Sequence, residues 1–317
     1  MHLPPSTARV DLRQNRRASA LLAVYWVIAI LSMALFTGAQ FLLVELETQG
    51  NTSLEFRAEQ LADAGVALAM HPKMERWDPL LRQRTGPTEG FEASIISEGA
   101  RLNPNVLAIS EGGRRVLTDL FMEFGLSEFD SQSLSAAMAD WVDRDSDETP
   151  LGAEGEYYRS KGWRGIPFNR PFRDLEEMVY VRGFDEVAVR YPGWRDVFTL
   201  WSAGKLDLND APAELISLVC ACPPGNASRF VKVRAGRDGI AGTEDDVKFE
   251  SVSQALDVLG LQGEVKQLVE NLVSVDDATA RLISVGKIGD ILIERTVVVR
   301  DRNENPSFVE VRTRRLR

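Results

Sequence analysis

The sequence predicts an α+β protein that begins with one long helix. Three observations predict it: an uncharged apolar run from Ala18 to Val44, helical stripes through the middle of the chain, and segments rich in Val and Ile near its C-terminal end. With 317 residues, 44% of them hydrophobic and 26% charged, the chain can bury a sizeable core.

The apolar run comes first. Its 27 positions hold no charged residue, and about 20 apolar residues suffice to cross a bilayer core as a helix. Arginines precede it, and Glu45 and Glu47 follow it. The positive-inside rule then places the N-terminus in the cytoplasm and the main body on the far side of a bacterial-type inner membrane. The alternative is a secretory signal peptide removed near the small residues Thr37-Gly38-Ala39. The run is long for that, and helical patterning resumes beyond it: Leu54, Ala58, Leu61, Gly65 and Leu68 form one stripe. Pro72 ends this stalk.

Charge is divided unevenly. Residues 1–18 carry four Arg and one Asp, about +3, so the remainder of the −10 total is about −13. An exported body this acidic repels phosphate backbones, which argues against a nucleic-acid partner, and suits a hard cation. Only two histidines are present, His2 and His71, far apart in sequence. A His-based zinc site or a Ser-His-Asp triad is therefore hard to build, and the chain is not read as an enzyme.

Past the stalk, residues 82–90 read as a turn-rich connector and Phe91 to Ile96 as a strand. Val116, Leu117, Leu120, Phe121 and Phe124 share one helical face. Leu134, Ala137, Met138 and Trp141 share another, and Leu175, Met178 and Val179 suggest a third short helix ending near Gly183. Asn209 or Asp210 suits the N-cap of a helix whose first turn holds Pro212. Residues 251–273 are mostly helical in pattern. Ile291 to Arg300 and Phe308 to Thr313 read as strands joined by the turn Asn303-Glu304-Asn305-Pro306.

Several strings resemble one family. Arg16-Arg17-Ala18-Ser19-Ala20-Leu21-Leu22-Ala23-Val24-Tyr25-Trp26-Val27 is similar to the start of K-type minor pseudopilins of the type II secretion system. So is Arg101-Leu102-Asn103-Pro104-Asn105. The same holds for Asp140-Trp141-Val142-Asp143-Arg144-Asp145 followed by Gly152-Ala153-Glu154-Gly155-Glu156-Tyr157-Tyr158, and for Leu206-Asp207-Leu208-Asn209-Asp210-Ala211-Pro212. The resemblance implies a basic leader at 1–18 and a transmembrane and stalk helix at 19–72. It implies a pilin-like core of 73–110 and 204–317, with that helix packed on an antiparallel sheet, and an all-α domain inserted at 111–203. It further implies cleavage between Ala18 and Ser19 by a prepilin peptidase, with Ser19 N-methylated. Ala18 stands where the family usually has Gly. Ala23 stands where most pilins carry Glu, as expected of subunits at a pilus tip. The implied partners are I-type and J-type minor pseudopilins, other pseudopilus subunits and the inner membrane.

Three clusters invite chemistry. The loop Gly236 to Asp246 packs four carboxylates among glycines, and Asp238, Glu244, Asp245 and Asp246 are candidate calcium ligands. K-type relatives carry a similar acidic loop that binds calcium. Asp143 to Asp147 begins like an EF-hand loop, but Glu148 occupies the position that requires Gly, so an acidic helix-exit loop is the favoured reading. Cys220 and Cys222, separated by one residue, are either a labile disulfide or two buried thiols, with oxidation slightly preferred outside the cytoplasm. The function expected is a minor pseudopilin at the tip of the secretion pseudopilus. The alternative is a membrane-anchored periplasmic module that binds DNA, in the manner of helix-hairpin-helix proteins, or another substrate.

Overall fold

The computed structural model describes the backbone of residues 12–316 and the side chains of residues 24–38, 40, 41 and 52–316. The chain divides into two compact units, residues 1–57 and 58–317. The first helix, α1 (Leu12–Ala69), contributes to both. In the first unit every described apolar side chain from Val24 to Phe41 is exposed. Among the described residues no helix is long and apolar enough to cross a membrane. The two ends of the expected span, 18–23 and 42–44, lie outside the described side chains.

Within the second unit, α1 lies on a sheet through its smallest residues. Ala58, Ala62, Gly65, Val66 and Ala69 are buried, whereas Leu61 and Leu68 of the expected stripe are half-buried. The offset has a steric cause. A Cβ on Gly286 would run into the Ala58 carbonyl and the Ala62 amide, so the helix backbone rests directly on the sheet. A Cβ on Gly65 would strike Ser284 and Phe91 in the same way. Arg295 on the sheet pairs with Asp63 at 2.7 Å and Glu59 at 3.7 Å. Arg302 donates to the Ala69 carbonyl at 2.7 Å, taking up a carbonyl that the end of the helix leaves free.

The sheet itself is antiparallel. After a 3₁₀ turn at Pro79–Leu81 come β1 (Arg82–Arg84) and β2 (Glu89–Ser97), so the expected connector holds a short edge strand. The chain then leaves the sheet for a helical block. This contains α2 (Pro104–Leu107), α3 (Glu111–Glu123), α4 (Glu128–Val142), α5 (Gly155–Ser160), α6 (Phe184–Arg190) and α7 (Trp194–Val197). It continues with β3 (Leu206–Asp207), α8 (Ala213–Val219), α9 (Pro224–Arg234), α10 (Val252–Val258), α11 (Gly263–Glu270) and β4 (Val273–Ser274). β3 and β4 pair in parallel. The chain returns with β5 (Thr279–Ile288), β6 (Ile291–Arg300) and β7 (Ser307–Leu316), completing the order β1-β2-β5-β6-β7.

Serine or asparagine side chains cap the starts of α2, α3 and α4. Ser110 accepts from the Gly113 amide at 3.1 Å, Ser127 from Asp130 at 3.2 Å, and Asn103 from Asn105 at 3.1 Å. The expected faces of α3 and α4 are buried, with Leu117, Phe121, Met138 and Trp141 wholly enclosed. The third expected helix is a 3₁₀ segment, Leu175–Tyr180, followed by α6. One hydrophobic core joins residues from Leu102 to Val273. It therefore crosses the expected boundary at 203/204: α8 packs on α3, and buried residues of α8 to α11 belong to the same core as those of α3 and α4. A second, smaller core lies between α1 and the sheet, around Val66, Phe91, Ile95, Leu282 and Val297.

Candidate functional site

The leader 1–18 and the junction Ala18–Ser19 lie outside the residues whose side chains are described. The other expected sites all fall in the second unit.

The acidic loop is arranged around its own backbone. Asp245 accepts from the Arg237 amide at 2.6 Å, the Asp238 amide at 3.2 Å and the Thr243 hydroxyl at 2.8 Å. The Thr243 hydroxyl, followed by those two amides, holds the Asp245 carboxyl below its ordinary range. Asp238 accepts from Ile240 at 2.8 Å and Asp246 from Gly242 at 2.7 Å. The second oxygen of Asp246 is buried without a partner. Among the described residues no three acidic, His or Cys side chains converge as cation ligands. Asp238, Asp245 and Asp246 offer the hard oxygens calcium takes, and here they serve the loop's own amides.

Cys220 and Cys222 are free buried thiols, not the disulfide slightly preferred from sequence. Cys220 closes α8, and Ala221 takes a left-handed φ of 47° before Cys222. A bridge across one residue would close a small ring with poor disulfide geometry. Burial, aided by the neighbouring Cys222, pushes the Cys220 thiol up to about 12, and burial also raises Cys222. Burial thus disfavours the thiolate form of both.

The Asp-Trp-Val-Asp element is a folded corner. Asp140 is wholly buried and accepts from the Thr149 amide at 3.1 Å and the Ala153 amide at 2.8 Å. Gly152 is required there, because a Cβ would collide with the Asp140 carboxylate. Trp141 packs on Tyr158 at 5.9 Å and Phe172 at 5.8 Å. Glu154 caps α5 by accepting from Gly155 at 3.1 Å, and its other oxygen is buried without a partner. Desolvation, with the nearby Asp140 and Asp143, raises Glu154 to about 7. Asp143 rises to about 6, again chiefly by desolvation. Asp143 is the C-cap of α4, so the EF-hand-like string begins where that helix ends.

The Leu-Asp-Leu-Asn-Asp element corrects an expectation. Pro212 is the N-cap of α8 and no side chain caps it. Asn209 instead clamps two other segments, donating to the Phe249 and Val275 carbonyls and accepting from the Phe249 amide at 2.9 Å. Asp210 forms a bidentate pair with Arg76 and accepts from the Ser97 amide at 2.7 Å. Asp207, 2% exposed, is pushed to about 6 by desolvation and by Asp210.

Glu98 went unnoticed in the sequence. It is wholly buried, pairs with Arg281 of β5 at 2.6 Å and Arg101 at 2.9 Å, and accepts from the Thr199 hydroxyl. It joins the sheet to the helical block. Its partners Arg281 and Thr199 lie 183 and 101 residues away, so no local signal marks it.

Of these elements, the Asp140 corner lies within the residues that match a known family. Residues 100–191 match the family described as Type II secretion system (T2SS), protein K. The fold is similar to a chain in the crystal structure of the GspK-GspI-GspJ complex from the type 2 secretion system of enterotoxigenic Escherichia coli. The TM-score is 0.59 at 16% identity, over 85% of this chain and 98% of that one. No curated protein sequence matches the chain.

Proposed function

We propose, for a chain that carries a type II secretion system protein K domain at residues 100–191, that it works as a minor pseudopilin of that secretion system. The observation that carries the reading is this match, which spans the Asp140 corner and its Gly-Ala-Glu-Gly-Glu-Tyr-Tyr continuation. The close seat of α1 on an antiparallel sheet, through Ala58, Ala62 and Gly65, supports it. The role is assembly rather than chemistry.

In this reading the helix waits in the inner membrane with its N-terminus in the cytoplasm and the body in the periplasm. The exposed apolar side chains from Val24 to Phe41 then face lipid, and later other subunits. Prepilin peptidase removes residues 1–18 and Ser19 becomes the methylated first residue. The similar solved chain comes from a complex of GspK with GspI and GspJ, so I-type and J-type minor pseudopilins are the proposed partners at the pseudopilus tip. Co-expression with those two subunits, extraction in mild detergent and light scattering on a sizing column tests this. Co-elution as a ternary species is expected, and separate elution contradicts it.

Calcium at the acidic loop is a separate proposal, with Asp238, Glu244, Asp245 and Asp246 as ligands. Chelation should then lower the melting temperature and added calcium restore it. An unchanged melting temperature would leave the loop as a turn capped by its own carboxylates.

A further inference from the structure

The chain carries ten net negative charges, yet residues 157–173 hold five Lys or Arg and no Asp or Glu. The same segment exposes aromatic rings. Trp163 is 46% exposed and stands edge-on to Tyr180, itself 53% exposed, at 6.0 Å. Trp163 is also stacked at 6.4 Å on the buried Tyr158, which fixes its ring from behind. Gly162 and Gly165, at φ of 83° and 80°, turn the chain on either side of it.

The cations are available. Lys161, Arg164 and Arg173 are exposed and form no ion pair among the described residues, whereas Arg170 is held by Glu177 at 3.0 Å. Tryptophan, tyrosine and arginine are the residues in which binding hot spots are richest, and a ring already held in place loses little entropy on binding.

We infer that the surface around Trp163 and Tyr180 is a docking site for a short acidic segment of another polypeptide that inserts an apolar side chain against the Trp163 ring. The inference stands on this surface alone and does not rest on the pseudopilin reading. Charge decides the class of partner. An extended polyanion, such as nucleic acid or an anionic bilayer, meets the field of the whole acidic protein. A short acidic segment meets mainly the local positive charge, because screening confines the rest to about 10 Å.

The test uses the full chain in neutral-headgroup detergent. A short fluorescent peptide alternating glutamate and phenylalanine is titrated by anisotropy, with a lysine-phenylalanine peptide as control. Saturable binding of the acidic peptide alone is expected, weakening with salt. The double variant Lys161→Glu with Arg164→Glu should bind roughly tenfold less tightly, and Trp163→Ala roughly thirtyfold less tightly. Unchanged melting of the charge-reversal variant separates lost binding from lost folding. The inference is overturned if the acidic peptide does not bind, or if binding is the same in both variants. It is also overturned if phosphatidylglycerol vesicles bind with this variant dependence while the peptide does not.

Discussion

Two buried acids set the behaviour of the second unit residue by residue. Glu154 has one carboxyl oxygen without a partner, and its pKa rises from 4.5 to about 7. The folded state therefore binds a proton that the unfolded state releases. Its contribution is fully present below pH 4.5 and is lost as pH rises through about 7. Glu154→Gln keeps the acceptor for the Gly155 amide and removes the titration. The variant should melt above the wild type at pH 8, and the gap should close towards pH 4.5; a gap independent of pH would contradict this. Glu98 is wholly buried between two arginines, Arg101 and Arg281. Glu98→Ala strands Arg281 and Arg101, and removal of one partner of a buried pair costs about 3–5 kcal/mol. Denaturant unfolding should show a loss of that order, and a loss below about 1 kcal/mol would mean that Glu98 acts as a surface acid does.

Between elements, the seat of α1 on the sheet is the most constrained contact. Gly286→Ala puts a methyl group into helix backbone, which has no rotamer to yield, so a cost of about 1–3 kcal/mol or more is expected. Gly65→Ala meets the Ser284 side chain first, so Ser284→Gly should partly restore its stability but not that of Gly286→Ala. Equal behaviour of the two glycine variants in thermal unfolding would mean that the helix does not rest on Gly286.

The same elements mark what the sequence could tell. β6 runs from Ile291 to Arg300 as its Val- and Ile-rich string predicts, and α3 and α4 bury the faces their spacing predicts. β5, central to the sheet, is not legible in the sequence, because Arg281, Ser284 and Lys287 dilute its apolar pattern. Asn209 and Asp210 looked like caps because local spacing suggests caps. Their true partners Arg76, Ser97, Phe249 and Val275 are brought in only by the tertiary fold. The Cys220–Cys222 spacing is likewise compatible with thiols or a bridge, and burial of both as free thiols comes from the fold.

At the scale of the whole molecule, charge and hydrophobicity are segregated along the chain. A basic start, an uncharged run and an acidic body follow one another, and the body folds as a compact unit from Ala58 onward. That body is a five-stranded sheet with one helical block spliced between β2 and β5, and Glu98 and Asp210 tie the block to its surroundings. In the proposed reading the body is too bulky for repeated stacking and the uncharged run from Ala18 to Val44 is suited to it, the division of labour a subunit at a filament tip requires. The central claim is that this helix is processed for assembly rather than kept as a plain anchor. Mass spectrometry of the N-terminal peptide, from cells that express the type II secretion machinery, tests it most directly. The account predicts a chain that starts at Ser19 and carries one added methyl group. A chain that starts at Met1, or at Gln40 after signal-peptide removal, would contradict it.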